Sequence, residues 1–499
     1  LQHSFSKSFS RFLLLSSGLF LLAGCAVSLG PGYTIQKQTL EVRFVPSPEP
    51  HLAVHSTYQL VNSGNQPLES LRVAVPSAQA FHRASISARW NDRTIAPQEV
   101  GTASSSEYGD TAELRFPESW QPKQKRTLIL EYNLSSGSHL GSYLAVSPYT
   151  FFAYPESWNP SLLPPKGIFG AGGVPPKKWT ISVRVPSGFL VHASGAIGKR
   201  ATSDGDWIYS FTQQPHGFAP FVAGGQYVET KIDSSGRDVR FWMHKPVELG
   251  VAQNTAASVS TRARYYATEY GTPASGARAI RFLECVIPAQ NFGCGALPET
   301  ILVDQAWVAR GLAEQKFYDD ANFALAYTWF GGMARVAFDQ YPLPMDALAP
   351  YAGWEAQAVE DGGGGARAER IRSLIADFDK HAATCQEKIV LPLAAGTGGC
   401  TYSAAWTKSG LFFFALEDKI GCSPLHRALK SMLADRRGRD IALEDLIAAM
   451  DAESREPLGP SVRQWLKHPG IPEEFRARYS MPVAPVANSE INAPKEPHP

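Results

Sequence analysis

Side chains able to do chemistry are unevenly spread along this 499-residue chain. It holds twelve histidines, and none lies between His244 and His381. A catalytic zinc takes three protein ligands plus water, commonly with imidazoles among them. The middle of the chain lacks that supply. There, in Asp319–Arg335, Phe323 and Tyr327 stand at the four-residue spacing at which a metal-binding helix presents two histidines on one face. Neither ligates zinc as a neutral imidazole does. His381 and His426 lie near other helices and read as surface or capping residues. Asp319, Asp320, Asp339 and Asp346 offer oxygen ligands of the kind calcium takes, although helix caps and solvated carboxylates describe them better. No Gly-x-Ser-x-Gly nucleophile elbow occurs. The run Gly362–Gly365 lacks the Lys-Ser/Thr of a phosphate loop and reads as a flexible loop.

The first segment carries chemistry of another kind. Lys7 and Arg11 precede the apolar run Phe12–Ala23, which is too short for a permanent bilayer span and suits a secretory signal. It ends in Leu22-Ala23-Gly24-Cys25, which resembles a bacterial lipobox. That resemblance implies that Cys25 becomes a lipid-modified N-terminus, and Ala26 in place of an aspartate favours the outer membrane. The expectation is a globular, periplasm-facing lipoprotein held to the cell envelope by its lipid. Export puts the other cysteines in an oxidising compartment. Cys285 and Cys294 flank one short loop and Cys385 and Cys400 another, which fits two local disulfides and leaves Cys422 over. Five buried thiols is the alternative.

The elements that position these residues divide the chain. With 44% hydrophobic and 19% charged residues, the composition is that of a globular protein with sizeable cores. Lys plus Arg (47) balances Asp plus Glu (46), which gives no electrostatic case for a nucleic-acid partner. Short alternating or apolar runs, Leu40–Val45, Leu71–Val75, Glu113–Phe116, Arg126–Tyr132, Trp179–Val185 and Trp207–Phe211, sit between Gly, Pro, Asn and Ser turns and predict a β-sandwich. Tyr154–Val174 reads as a long loop. From about residue 250 the period becomes helical, over Ala252–Tyr270, Glu314–Ala337, Arg367–Thr384, Thr407–Ile420 and Leu425–Asp435, with a strand at Thr300–Val303. Ser423-Pro424 supplies a cap and first-turn proline to the last of these. The helix within Asp319–Arg335 is apolar at Phe323, Ala326, Tyr327 and Phe330 and reads as buried. The tail from about Met481 is expected to be disordered.

Four stretches then match one known pattern in its order. Ala326-Tyr327-Thr328-Trp329-Phe330-Gly331-Gly332 is similar to Ala-His-Gln-Trp-Phe-Gly-Asn. Gly293–Glu299, GCGALPE, lies where a Gly-Ala-Met-Glu-Asn loop sits. Trp406-Thr407-Lys408-Ser409-Gly410 looks like a Tyr-x-Lys-Gly segment, and Leu443–Pro472 resembles the end of a catalytic domain. The chain thereby resembles the M1 aminopeptidase family of gluzincin metallopeptidases over roughly residues 40–475. The resemblance implies an α+β fold: a signal peptide over 1–24, a linker over 25–38, a β-sandwich domain over 39–235, a thermolysin-like mixed α/β domain over 240–478 and a tail over 479–499, without a C-terminal helical-repeat domain.

It also implies that the chemistry is gone. The family's His, Glu and His fall on Phe323, Ala324 and Tyr327, and its third ligand on Asp346. One carboxylate does not hold catalytic zinc, so no zinc is expected. Ala324 removes the general base, and Trp406, at the position of the transition-state tyrosine, has an indole N–H in place of an acidic hydroxyl. In the substrate-loop remnant Gly295, Ala296, Leu297, Pro298 and Glu299, the glutamate that holds a free amino terminus matches Pro298, with Glu299 beside it. The leading expectation is a pseudoenzyme that binds a peptide or protein. The alternative is an active metallopeptidase with a non-standard metal site built from Glu299, Asp346 and Asp319. A third reading is an envelope scaffold, since M1-like proteins of this layout are associated with ABC transporters.

Overall fold

The computed structural model describes residues 32–75, 86–95, 97–99, 110–135, 144–153, 158–163, 174–212, 220–273, 278–285, 296–297, 299–304, 315–333, 335–336, 347–361, 364–383, 399–437 and 439–480. The fold is mixed α+β, rich in sheet in its first half and helical in its second. The centre of the largest sheet is Tyr33–Val45, antiparallel to His51–Asn62 on one side and parallel to Trp179–Pro186 on the other. His51–Asn62 shows why: Leu52, Val54, Tyr58 and Leu60 alternate with more exposed residues, so one face is apolar and the register is fixed. That face packs with Leu68–Val75 and Asp110–Trp120 of a second sheet around Trp90, Trp120 and Trp158.

Tyr154–Val174 is not wholly loop. Within it Ser161–Leu163 pairs with Arg72–Ala74, and the buried Trp158 donates its indole N–H to the Pro220 carbonyl at 2.6 Å. Three-residue pairings and single buried rings leave no periodic trace.

A five-stranded sheet introduces the helical half, in the order Val228–Ser234, Arg237–Met243, Ala279–Cys285, Thr300–Asp304, Ala296–Leu297. Its first two strands straddle the expected division at 235–240, yet hydrogen bonding assigns both to this sheet. The turn Ser235-Gly236 between them, with φ of 55° and 73°, is a hairpin tip.

Nine helices are described: α1 (Leu249–Tyr270), α2 (Gln315–Gly331), α3 (Leu348–Glu360), α4 (Gly364–Ala382), α5 (Gly399–Ile420), α6 (Cys422–Asp435), α7 (Leu443–Glu453), α8 (Gly459–Lys467) and α9 (Glu473–Ser480). Helix α2 stops short of the expected Ala337. Its last turn tightens, with the Met333 N–H on the Phe330 carbonyl at 3.0 Å, and Arg335–Val336 pairs with Asp440–Ile441 as a short parallel ladder. Gly364 and Gly365, expected in a flexible loop, open α4, where the first N–H groups need no intrahelical partner. Helix α6 starts earlier than Leu425. Its cap is Gly421 (φ 89°) rather than Ser423, which puts Cys422 at the first helical position. Among the described residues no helix is long and apolar enough to cross a membrane.

Candidate functional site

Helix α2 is a buried spoke: Ala321, Ala324, Leu325, Ala326, Trp329 and Phe330 lie in the main helical core. It packs along the strand Ala296–Leu297, beside the turn at Glu299, a half-buried residue with φ 57°. The face of α2 carrying Phe323 and Tyr327 meets α3 and α5. Trp406 projects from α5, 79 residues further on, and its indole N–H donates to the Tyr327 hydroxyl at 2.6 Å. The Phe323 ring lies 5.7 Å from that of Tyr327 and 5.8 Å from that of Trp406.

A fourth ring completes the cluster, and the sequence reading missed it. Trp354 of α3 lies 5.8 Å from Phe323 and meets Trp406 edge-on at 5.1 Å. Two glycines let the rings come so close. A Cβ on Gly353 would stand 2.7 Å from Phe323 Cδ2, and one on Gly410 would stand 2.2 Å from Trp354 Cζ3. Aromatic pairs at these separations contribute about 0.5–1.5 kcal/mol each beyond their buried area. Arg262 of α1 fixes α3 from behind, donating to the Gly353 carbonyl at 3.1 Å and to both oxygens of Glu360 at 3.0 and 2.6 Å.

This set does not fit a zinc ion. Ala324, at the position where the resemblance puts the general base, is buried and offers only a methyl group. The described side chains around it, Phe323, Tyr327, Trp354 and Trp406, offer no imidazole, thiolate or carboxylate, and the one polar pair among them is spent on the indole–hydroxyl hydrogen bond. Such an arrangement packs apolar surface and fixes three helices against one another; among these described side chains none is a base able to activate water.

Several expected residues fall outside the described ones: Asp339, Asp346, Gly295, Pro298, Cys294, Cys385 and Cys25, together with the side chains of Asp319, Asp320, Ala296, Leu297, Cys285 and Cys400. Cys422 is free and exposed. His381 sits in the last turn of α4 beside Lys380, where a cationic side chain suits the helix dipole. His426 departs from expectation. It is only 5% exposed, because α6 turns it inward against Tyr270 of α1 and Tyr351 of α3. The signal available was its four-residue offset from Cys422 and three-residue offset from Leu429 on the apolar side of α6.

No protein-family profile matches the chain, and no curated protein sequence does. Solved structures match closely in shape. The M1 zinc metallopeptidase of Deinococcus radiodurans superposes with a TM-score of 0.62 at 16% identity, over 88% of this chain and 95% of that one. A mutant of it bound to the substrate Tyr-ser-ala gives 0.61 at 17%, over 88% and 95%. Native yeast LTA4 hydrolase gives 0.65 at 12%, over 88% of this chain and 69% of its own. The fold is therefore that of the M1 aminopeptidase-like metallopeptidases.

Proposed function

We propose that this chain, built on the M1 metallopeptidase fold, is not a peptidase and acts as a binding or scaffold protein of the bacterial envelope. One observation carries the reading: the helix that would hold the metal instead packs Phe323 and Tyr327 against Trp354 and Trp406, with Gly353 and Gly410 accommodating the rings. Ligand, base and proton donor are replaced together, and the replacements contact one another. That favours a scaffold over capture of a peptide at the former metal position, because four packed rings leave the metal's place to side chains. The partner on this reading is an envelope protein, such as a component of a transporter complex.

The same reading places the chain on a lipid attached at Cys25, with no zinc held by Phe323, Tyr327 and Asp346. Zinc-dependent cleavage of aminoacyl substrates by the purified chain would overturn the loss of activity. Cys25→Ser should move the protein from the membrane fraction to the soluble fraction, and continued membrane retention would overturn the anchor.

A further inference from the structure

We propose that Glu355, Cys422 and His426 bind a divalent metal ion of the zinc class at a second place in the molecule, with Glu269 orienting the imidazole from behind. This goes beyond the reading above, since neither the packed rings nor the resemblance concerns these residues. Three helices converge on the spot. Helix α6 supplies Cys422 at its first position and His426 one turn later, so both face the same way. Helix α3 supplies Glu355, 5% exposed, and α1 supplies Glu269.

One donor atom from each of Glu355, Cys422 and His426 lies within 4.8 Å of the other two. Zinc holds sulfur at about 2.3 Å and nitrogen or oxygen at about 2.0–2.2 Å, which sets tetrahedral donors roughly 3.3–3.8 Å apart. Cys422 Sγ lies beside the imidazole, 3.8 Å from His426 Nε2 and 3.9 Å from Nδ1, so a change of the Cys422 rotamer is what brings the sulfur to the Nε2 side. A rotamer adjustment of Glu355 brings its carboxylate to the same point.

The imidazole is arranged as a ligand's would be. His426 Nδ1 is 2.8 Å from Glu269 Oε2. An Nδ1–H donated to that carboxylate leaves Nε2 as the acceptor nitrogen, the tautomer of the carboxylate–histidine–metal arrangement of many zinc sites. The Tyr270 and Tyr351 hydroxyls lie near Nε2 at 3.2 and 3.4 Å, and Tyr351 keeps Glu417 as a partner at 3.2 Å when a metal takes the nitrogen.

Charge points the same way. Glu355 accepts from the Tyr265 hydroxyl, while the nearest guanidinium groups are engaged elsewhere, Arg367 with Glu417 and Arg262 with Glu360. A thiol, an imidazole and a carboxylate gathered at one point are what a divalent ion of this class binds, with release of the thiol proton on binding. Cys422 is the exposed member of the cluster, while Glu355 and His426 are buried. Sulfur, nitrogen and carboxylate oxygen together select zinc-class ions over calcium or magnesium.

The test uses the whole purified chain, stripped with a chelator and titrated with Co²⁺ alone, then with Zn²⁺ as competitor. The expected result is one equivalent of cobalt with a thiolate-to-cobalt charge-transfer band in the near ultraviolet, displaced by zinc. Cys422→Ser should remove the band while leaving the far-ultraviolet spectrum unchanged. Glu355→Gln should keep the band and weaken binding, and Glu269→Gln should weaken it by about ten- to a hundred-fold, the usual effect of losing an outer-shell partner. Absence of the band in the wild type would overturn the proposal, as would its persistence in Cys422→Ser, which would assign it to another of the six cysteines. Unchanged affinity in Glu355→Gln would also overturn it. Metal bound here without aminopeptidase activity leaves the proposed function standing, and zinc-dependent activity that survives Cys422→Ser overturns that function and not this site.

Discussion

Gly410 lies in the interior of α5, where a helix ordinarily prefers alanine by about 1 kcal/mol. Propensity alone therefore predicts that Gly410→Ala stabilises the protein. The geometry predicts the opposite sign. The new methyl carbon would stand 2.2, 3.0 and 3.1 Å from Cζ3, Cε3 and Cη2 of Trp354, against an ordinary carbon contact of about 3.5–4.0 Å. The indole would have to retreat by roughly 1.3–1.8 Å to restore that contact distance. It has little freedom to do so, because Phe323 and Trp406 hold its other sides at 5.8 and 5.1 Å. Overpacking of this kind costs about 1–3 kcal/mol, occasionally more, which outweighs the propensity gain. The assay is urea unfolding followed by tryptophan fluorescence and far-ultraviolet circular dichroism, comparing midpoints at constant slope. Gly365→Ala is the control: it lies in the first turn of α4 with nothing within 4 Å of the new carbon, and should be neutral or slightly stabilising. Gly410→Ala combined with Trp354→Leu should recover much of the loss. A raised midpoint in Gly410→Ala alone would refute the packed cluster.

Two other perturbations probe the same helices. Trp406→Phe and Tyr327→Phe each remove one side of the 2.6 Å hydrogen bond, at about 0.5–1.5 kcal/mol, and their double-mutant cycle should show coupling of similar size; strictly additive effects would exclude the bond. Lys408, wholly buried on α5 with its ammonium 2.5 Å from the His468 carbonyl, has its pKa lowered by burial to about 8, against about 10.4 unfolded. The unfolded chain then binds more protons between those values, so stability should rise with pH from about 8 to about 10.4 relative to Lys408→Met. Parallel pH curves for the two proteins would contradict this.

What was legible in the sequence followed from where the information was local. Phe323 and Tyr327 share a helix, and their spacing alone raised the question of a missing metal. The contact with Trp406 spans 79 residues and was legible only through resemblance. Helix α3 was invisible for a physical reason. Ten of its residues are buried, on every side, so Leu348–Glu360 shows no polar face and no amphipathic period. That omission hid Trp354, Glu355 and Tyr351 together. His426 was misjudged because a histidine on a helix with exposed charges resembles a surface residue. Only the packing of α6 on α1 and α3 shows that Glu269 and two tyrosines enclose it.

The central claim is that the fold of a metallopeptidase persists here without its chemistry. The direct measurement is hydrolysis of aminoacyl substrates by the purified chain, supplied with zinc and compared with Asp346→Ala, while zinc content is followed in parallel with Cys422→Ser. The account predicts no zinc-dependent turnover in either protein, with any bound zinc lost in Cys422→Ser. Zinc-dependent hydrolysis by the wild type that disappears in Asp346→Ala would contradict it.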